Sequence, residues 1–325
     1  MLIACNFHYI RESFETSFPS IFGVTPQQFE NQLDLLAQHG GFIGAEDITM
    51  AIIRQRPLEG NYICITFDDG LKEQFEMAKP ILERKGIPFI FFINPSNQYE
   101  GIVSIVHQIH LLRFILDSQY LLKEILQSRP DLTLTKQEQE LARKHYNFDD
   151  FEAAELKYLL NFKLDPLIQK ELIGSLFRRF FDERKESYRL YMNKQELRAV
   201  ADLGCLGSYT YHHYPLGQLP SDRIAYELSQ SQKAIEELVG KKVNGVSYPY
   251  GSLGACAFPT VHFADINQFQ FGFTMERAAN SSEIFHQPLG LARFDCNDLP
   301  GGKHNLFGDQ SIFSQAPKRQ WNIYA

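Results

Sequence analysis

The stretch that decides the fold is residues 61–93, NYICITFDDGLKEQFEMAKPILERKGIPFIFFI. Its first part, residues 61–67, is rich in β-branched and aromatic side chains, which predicts a strand. Residues 72–85 predict a helix that stops at Gly86, and residues 88–93 form a continuous apolar run, as in a buried strand of a parallel sheet. A strand, a helix and a second strand in this order form a βαβ unit, so the sequence predicts an α/β fold.

The sequence on both sides of this unit continues the same pattern. Residues 2–7 are short and apolar and predict a first buried strand. Thr25 and Pro26 are the residue types preferred at the start of a helix. Strand-like segments return at residues 243–248 and 269–274. The α/β pattern therefore covers the beginning and the later part of the chain.

Helical periodicity replaces the strand-like runs between these two parts. We expect residues 97–190 to form a helical insertion that separates residues 1–96 from residues 191–302 of one domain. Residues 303–325 are predicted to form an irregular C-terminal tail. The apolar faces of the insertion could join copies of the chain into an oligomer, although such faces more often form a core.

The composition excludes several classes of function. The chain has 325 residues, of which 44% are hydrophobic, so large-scale disorder is excluded. Its formal net charge is -7, which gives no basic field of the kind that binds nucleic acid. No stretch reaches the roughly 20 apolar residues that span a bilayer. We expect a globular protein without a nucleic-acid partner or a transmembrane segment.

The five cysteines bear on the cellular compartment. Their number is odd and none forms a C-x-x-C pair, which favours free thiols in a reducing compartment. Residues 1–8 lack the basic start and the long apolar run of a signal peptide. We therefore expect the chain to be cytoplasmic.

Two adjacent carboxylates, those of Asp68 and Asp69, follow the predicted strand 61–67. Side chains at the C-terminal ends of parallel strands face the active site in α/β barrels. One carboxylate can bind a divalent cation while the other takes a proton from the attacking water. An Asp-Gly turn after a strand is also a common structural feature, so this pair alone leaves both interpretations open.

Three further segments contain residues that could take part in catalysis or metal binding. His212 and His213 lie within residues 207–216, GSYTYHHYPL, and two such imidazoles can bind a metal or transfer protons. Residues 247–251, SYPYG, predict a turn whose backbone N–H could hold an oxyanion. An Arg-Asp pair occurs within residues 291–295, LARFD. Each segment alone also has a structural explanation, as packed histidines, a plain turn or a structural ion pair.

In combination these segments resemble the polysaccharide deacetylases, also called the NodB-homology family or carbohydrate esterase family 4. Residues 66–70, TFDDG, match the first motif of that family, and residues 207–216 match the second in register except at one position. Residues 247–251 look like the P-Y-G variant of the third motif. The resemblance covers about residues 1–95 and 192–300, and it implies a distorted (β/α) barrel with an inserted helical subdomain.

The resemblance implies a role for each matched residue. Asp68 corresponds to the catalytic base and Asp69 to a metal ligand. His213 corresponds to the second histidine ligand of the family, whereas Tyr209 stands in the place of the first. The backbone amide of Tyr250 would help to hold the tetrahedral oxyanion.

Two other positions of the family motifs differ in this chain. The third motif lacks the arginine that some members carry, so Arg293 is expected to hydrogen-bond Asp68 instead, since its fork of donors suits a carboxylate. The late Leu-x-x-His motif that supplies the general acid is not visible. His286 and His304 are the remaining candidates for that acid.

The implied cofactor is a divalent metal, with zinc first and cobalt or nickel as alternatives. A catalytic zinc usually has three protein ligands and a water. The phenol of Tyr209 has an ordinary pKa of about 10, which makes it a poor ligand in its neutral form. His212 or His8 could supply the missing nitrogen, although His212 adjoins His213 and both rings would have to reach one point.

The resemblance implies a hydrolase that removes the N-acyl group of an amino sugar in a glycan substrate. Residues 6–11, NFHYIR, look like a subgroup found among cell-surface polysaccharide genes, which suggests surface-polysaccharide or glycoconjugate synthesis. Tyr209 supports an alternative, a deacetylase-like protein that binds carbohydrate, or assembles with a partner, without hydrolysis. A second alternative is a scaffold whose helical insertion mediates assembly.

Overall fold

The computed structural model describes residues 1–16, 21, 23–147, 149–256 and 259–324. Within them the chain divides into two compact units. The first contains residues 1–13, 23–102 and 187–325, and the second contains residues 14–22 and 103–186. The second unit therefore begins later than the predicted insertion and also takes up a segment near the N-terminus.

One parallel sheet of eight strands forms the centre of the first unit within the described residues. Its strands are β1 Leu2–Phe7, β2 Gly41–Phe42, β3 Tyr62–Phe67, β4 Phe89–Ile93, β5 Leu206–Ser208, β6 Gly245–Ser247, β7 Phe271–Phe273 and β8 Arg293–Asp295. Their order is β7-β6-β5-β4-β3-β1-β8, with β2 beside β3. The strands predicted at residues 2–7, 61–67 and 88–93 are confirmed as β1, β3 and β4.

The two ends of this sheet approach each other. Phe273 of β7 forms a parallel bridge with Leu291, two residues before β8, and the backbone N–H of Leu291 donates to the carbonyl of Gly272 at 2.7 Å. The backbone N–H of Thr274 donates to the carbonyl of Leu291 at 2.8 Å. The sheet is thus a nearly closed, distorted (β/α) barrel, which confirms the predicted fold class.

Helices connect the strands and build the second unit. They are α1 Pro26–Ala37, α2 Ala45–Ile53, α3 Lys79–Lys85, α4 Ser96–Tyr99, α5 Ile105–Ile115, α6 Ser118–Ser128, α7 Lys136–His145, α8 Phe151–Tyr158, α9 Pro166–Phe177, α10 Glu183–Leu190, α11 Lys194–Asp202, α12 Ser221–Val239, α13 Leu253–Cys256, α14 Thr260–Ile266 and α15 Ile312–Gln315. A π-helical segment, Gln74–Ala78, precedes α3.

Local capping explains where two of these helices begin. The Thr25 hydroxyl accepts from the backbone N–H of Gln28, whose side chain accepts in return from the backbone N–H of Thr25, and Pro26 occupies the first turn of α1. Asn193 and Glu196 form the same reciprocal pair at the start of α11. The helix start predicted at Thr25 and Pro26 is confirmed.

The second unit is helical and has its own apolar interior. Helix α5 packs against α9, and α8 packs against α6 and α7. Aliphatic side chains fill the space between these helices, among them Leu112, Ile125, Leu156 and Ile173. These side chains form an apolar interior in the second unit, whereas Ile115, Phe162 and Leu167 are exposed.

Two further properties concern membrane-spanning helices and the cysteine thiols. Within the part of the chain that the structure describes, no helix combines the length and apolar character needed to cross a membrane. The five cysteines are free thiols, and burial raises the pKa of Cys5 and Cys64.

Glycines in two short barrel strands leave space for large aromatic side chains of the neighbouring strands. A methyl group added at Gly207 would lie 2.4 Å from the ring of Phe92, and one added at Gly245 would lie 2.3 Å from the ring of Phe271. Both rings are fully buried. The aromatic side chains therefore occupy the space that a larger residue would need.

We expect Gly245→Ala to lower the free energy of unfolding by about 1–3 kcal/mol, because overpacking must displace the Phe271 ring. Urea denaturation measures this change. Gly254→Ala in α13 is the matched control, since a methyl group there would meet nothing within 4 Å and no loss is expected. Equal stability of Gly245→Ala and the unmodified chain would show that the barrel tolerates the added methyl.

Candidate active site

The loops that follow β3, β5 and β6 share an unusual backbone conformation. Asp69, Thr210, His213 and Tyr250 all have positive φ angles, between 61° and 80°. Side chains other than glycine rarely adopt this region, and such residues cluster at functional sites, where the surrounding structure holds them. The three loops lie at the C-terminal ends of parallel strands, where barrels carry their active sites.

The carboxylate of Asp68 is held by hydrogen bonds from two neighbouring side chains, those of Arg293 and Asn6. Arg293 donates to both of its oxygens, from Nη1 to Oδ1 at 3.0 Å and from Nη2 to Oδ2 at 2.9 Å. The amide of Asn6 donates to Oδ2 at 2.9 Å. A bidentate pair fixes the plane of the carboxylate, so Asp68 points in one direction with little rotational freedom.

The other hydrogen bonds of Arg293 reach neighbouring strands. Nε donates to the backbone carbonyl of Thr274 at 3.2 Å, Nη1 to Asn6 Oδ1 at 3.1 Å, and Nη2 to Ser247 Oγ at 2.8 Å. The guanidinium is fully buried, although an isolated arginine would be costly to remove from water. Arg293 thus lies beside Asp68, as expected from the sequence.

Asp69, His213 and Tyr209 come together next to Asp68. His213 Nε2 lies 3.4 Å from Asp69 Oδ1, and the rings of Tyr209 and His213 meet edge to face with centroids 4.9 Å apart. Burial raises the pKa of Tyr209 well above its usual value, and the negative charges of Asp68 and Asp69 raise it further. The phenol of Tyr209 is therefore a neutral group at physiological pH.

These residues do not fit a standard catalytic zinc site. No group of three His, Cys, Asp or Glu side chains with suitable spacing occurs among the described residues. A ligating histidine usually donates its second ring nitrogen to a partner, yet Nδ1 of His213 is buried without one in the described part of the chain. Beside Asp69 and His213 lies the neutral phenol of Tyr209, which offers no imidazole nitrogen to a metal.

His212 is engaged away from this group. Its Nδ1 lies 2.7 Å from Glu227 Oε1, and its backbone N–H donates to Glu227 Oε2 at 2.7 Å. Its Nε2 lies 3.4 Å from Glu100. The buried carboxylate of Glu227 on α12 thus anchors the loop that carries Tyr209 and His213.

The two candidate general acids lie elsewhere. His286 lines a separate cavity that includes Met1 at the start of β1, and its ring pairs with Glu283. His304 is exposed and does not line the cavity beside Asp68. His8 is closer, with Nε2 at 4.0 Å from Asp68 Oδ2 and a side chain that is 36% exposed.

A cavity of about 520 Å³ opens beside Asp68. Its lining combines polar and charged side chains with three aromatic rings and a methionine: Asn6, His8, Asp68, Tyr209, Tyr250, Met275, Arg277, Asp295 and Trp321. Such a mixture suits a ligand with both apolar and hydrogen-bonding surfaces. Trp321 comes from the segment predicted to be an irregular tail, and no motif in the sequence marks it as a site residue.

Comparisons with known proteins bear on the fold and on part of the sequence around the site. Residues 177–267 match the family model described as polysaccharide deacetylase. The resemblance to the polysaccharide deacetylases is confirmed. The matched segment contains the loops of Tyr209, His213 and Tyr250 but not the pair Asp68 and Asp69. No curated protein sequence matches the chain.

Solved deacetylases have the same fold at low sequence identity. The Streptococcus pyogenes deacetylase PplD, solved in complex with acetate, is 13% identical with a TM-score of 0.56, and the match covers 90% of this chain and 91% of PplD. IcaB from Ammonifex degensii is 18% identical with a TM-score of 0.53, and 90% of each chain is covered. The deacetylase domain of BpsB from Bordetella bronchiseptica is 15% identical with a TM-score of 0.52, covering 90% and 95%.

We expect Arg293→Met to lower the free energy of unfolding by about 3–5 kcal/mol, because it leaves the buried charge of Asp68 without its partner. Chemical denaturation measures the loss. The double variant Asp68→Asn/Arg293→Met should recover part of it, since a neutral amide replaces the unpaired charge. A single variant as stable as the unmodified chain would show that Arg293 does not hold the site together.

Proposed function

We propose that this chain hydrolyses the N-acetyl group of an amino sugar within a glycan. One observation carries the proposal: Asp68 is fixed by Arg293 and Asn6 and lines a cavity at the C-terminal ends of the strands of a deacetylase-type barrel. A held carboxylate next to a cavity of this size is suited to act as a general base on a water molecule bound with the substrate.

The reaction that we propose adds water across an amide bond. Asp68 takes a proton from water as the water oxygen bonds to the carbonyl carbon, and the backbone N–H of Tyr250 donates to the developing oxyanion. The carbon–nitrogen bond then breaks, and the proton ends on the leaving amine. The products are acetate and a sugar with a free amino group.

Metal binding is expected to be weak or absent in the chain as it stands. A divalent ion such as zinc, cobalt or nickel, when bound, would polarise the carbonyl of the substrate. Asp69 and His213 would be its ligands, and Tyr209 offers only a neutral phenol in the third place. The same observation favours a second candidate function, in which the protein binds a glycan without hydrolysing it.

The biological setting of the proposal is surface-polysaccharide or glycoconjugate synthesis in the cytoplasm. The resemblance of residues 6–11 to a subgroup among cell-surface polysaccharide genes supports a role in surface-polysaccharide or glycoconjugate synthesis. The free thiols support a reducing compartment.

Tyr209→His is expected to raise the affinity for zinc at least about tenfold, since even the loss of a residue that only orients a ligand typically costs 10–100-fold. Restoring the imidazole adds a nitrogen ligand of the right reach. Calorimetric titration with zinc, cobalt and nickel measures the affinity, and acetate release from a panel of N-acetylated sugars measures the activity. Both should increase together.

Tyr209→Phe is the matched control, because it removes only the hydroxyl. It should bind metal as weakly as the unmodified chain. Equal affinity and rate in the unmodified chain and in Tyr209→His would show that another residue already supplies the third ligand. Tight binding by the unmodified chain that is lost in Tyr209→Phe would show that the phenol itself is a ligand. Acetate release by none of the three proteins would favour glycan binding without hydrolysis.

A further inference from the structure

The last residues of the chain form part of the cavity wall. We call residues 317–324 the C-terminal strap. Lys318 forms a parallel bridge with Ala279, and the backbone N–H of Ala279 donates to the carbonyl of Pro317 at 2.8 Å. Farther along, Ile323 is fully buried and the hydroxyl of Tyr324 accepts from the backbone N–H of Leu289 at 2.8 Å. The strap is therefore fixed to the loops of the barrel at both of its ends.

A buried carboxylate holds the middle of the strap. Glu276 follows β7 and is only 5% exposed. Its Oε1 accepts the backbone N–H of Trp321 at 3.0 Å and also the backbone N–H of Gln320, while its Oε2 lies 3.4 Å from Arg319 Nε. Two backbone donors on one carboxylate oxygen fix the main chain of the strap at the residue that reaches the cavity.

Trp321 faces the same cavity as Asp68. Its ring is partly exposed, and Tyr209 and Tyr250 contribute two further aromatic rings to the lining. A pyranose ring has apolar C–H faces and polar hydroxyl and amide edges. Flat aromatic rings suit the faces, and the polar groups of Asn6 and Asp68 suit the edges.

We propose that Trp321 is a binding platform for a sugar ring of the glycan and that Glu276 is the residue that positions it. That the ligand is a saccharide rests on the proposed function. The new part is which residues of the chain would contact that saccharide. Substrate binding then depends on the C-terminal strap, which lies outside the segment that matches the family model.

The chain itself provides the probe, since Trp321 is its single tryptophan. We would titrate the unmodified protein with the trisaccharide of β-linked N-acetylglucosamine, follow tryptophan fluorescence, and measure the same binding by calorimetry. We expect a saturable change in fluorescence that gives the same Kd as calorimetry. Trp321→Ala should weaken the calorimetric Kd about tenfold, in line with the energy of an aromatic contact plus its buried area.

Variants of Glu276 separate positioning from general instability. Glu276→Ala removes the acceptor of the two backbone N–H groups, so the Kd should weaken as in Trp321→Ala, and trypsin should cleave faster after Lys318 and Arg319. Glu276→Gln keeps an acceptor oxygen and should restore much of the saccharide affinity and of the resistance to trypsin. Gln320→Ala is the matched control in the strap, because its side chain is exposed and its backbone N–H is kept.

Acetate release in the same samples keeps this inference apart from the proposed function. A fluorescence change that is coupled to binding, without acetate, would support the platform and contradict hydrolysis. Acetate release with an unchanged KM in Trp321→Ala would support hydrolysis and overturn the platform. Calorimetric binding that Trp321→Ala leaves unaltered, or no saccharide binding at all, would also overturn the platform.

Discussion

The guanidinium of Arg293 joins strand ends that are far apart in sequence. From β8 it reaches Asn6 at the end of β1, Asp68 after β3, Ser247 at the end of β6 and the carbonyl of Thr274 after β7. A buried cation needs nearly all of its donors satisfied, so these strand ends must keep one arrangement. The position of Asp68 and the near closure of the barrel thus follow from the same set of hydrogen bonds.

The hydrogen bonds of Arg293 also help to explain where backbone strain is tolerated. The loops after β3, β5 and β6 carry non-glycine residues with positive φ, among them Asp69, His213 and Tyr250. Such backbone persists only when its surroundings hold it, and each instance costs on the order of 1–3 kcal/mol. Glu227 holds the second of these loops through His212. Asp69, His213 and Tyr250 are therefore held in position around the carboxylate of Asp68.

The sequence predicted β1, β3 and β4, and its strand-like segments at 243–248 and 269–274 contain the short strands β6 and β7, but it did not predict β5 or β8. The strand β3 and the strand β4 are runs of apolar residues that have few alternatives to burial. In contrast, β5 has three residues with Gly207 in the middle, and β8 has three residues that begin with Arg293, whose pairing with Asp68 was expected from the family resemblance and not from a strand pattern. Periodicity cannot be read from three residues. Trp321 was missed because a segment held by backbone bonds to one buried carboxylate has no pattern of its own.

The central claim is that Asp68 is the base of an amide hydrolase. It is tested most directly by acetate release from the trisaccharide of β-linked N-acetylglucosamine, supplied with zinc, by the unmodified chain and by Asp68→Asn. Circular dichroism would establish that both proteins are folded. We expect measurable release by the unmodified chain and a loss of at least about a hundredfold in Asp68→Asn, the scale of general base catalysis. Equal release by the two folded proteins would contradict it.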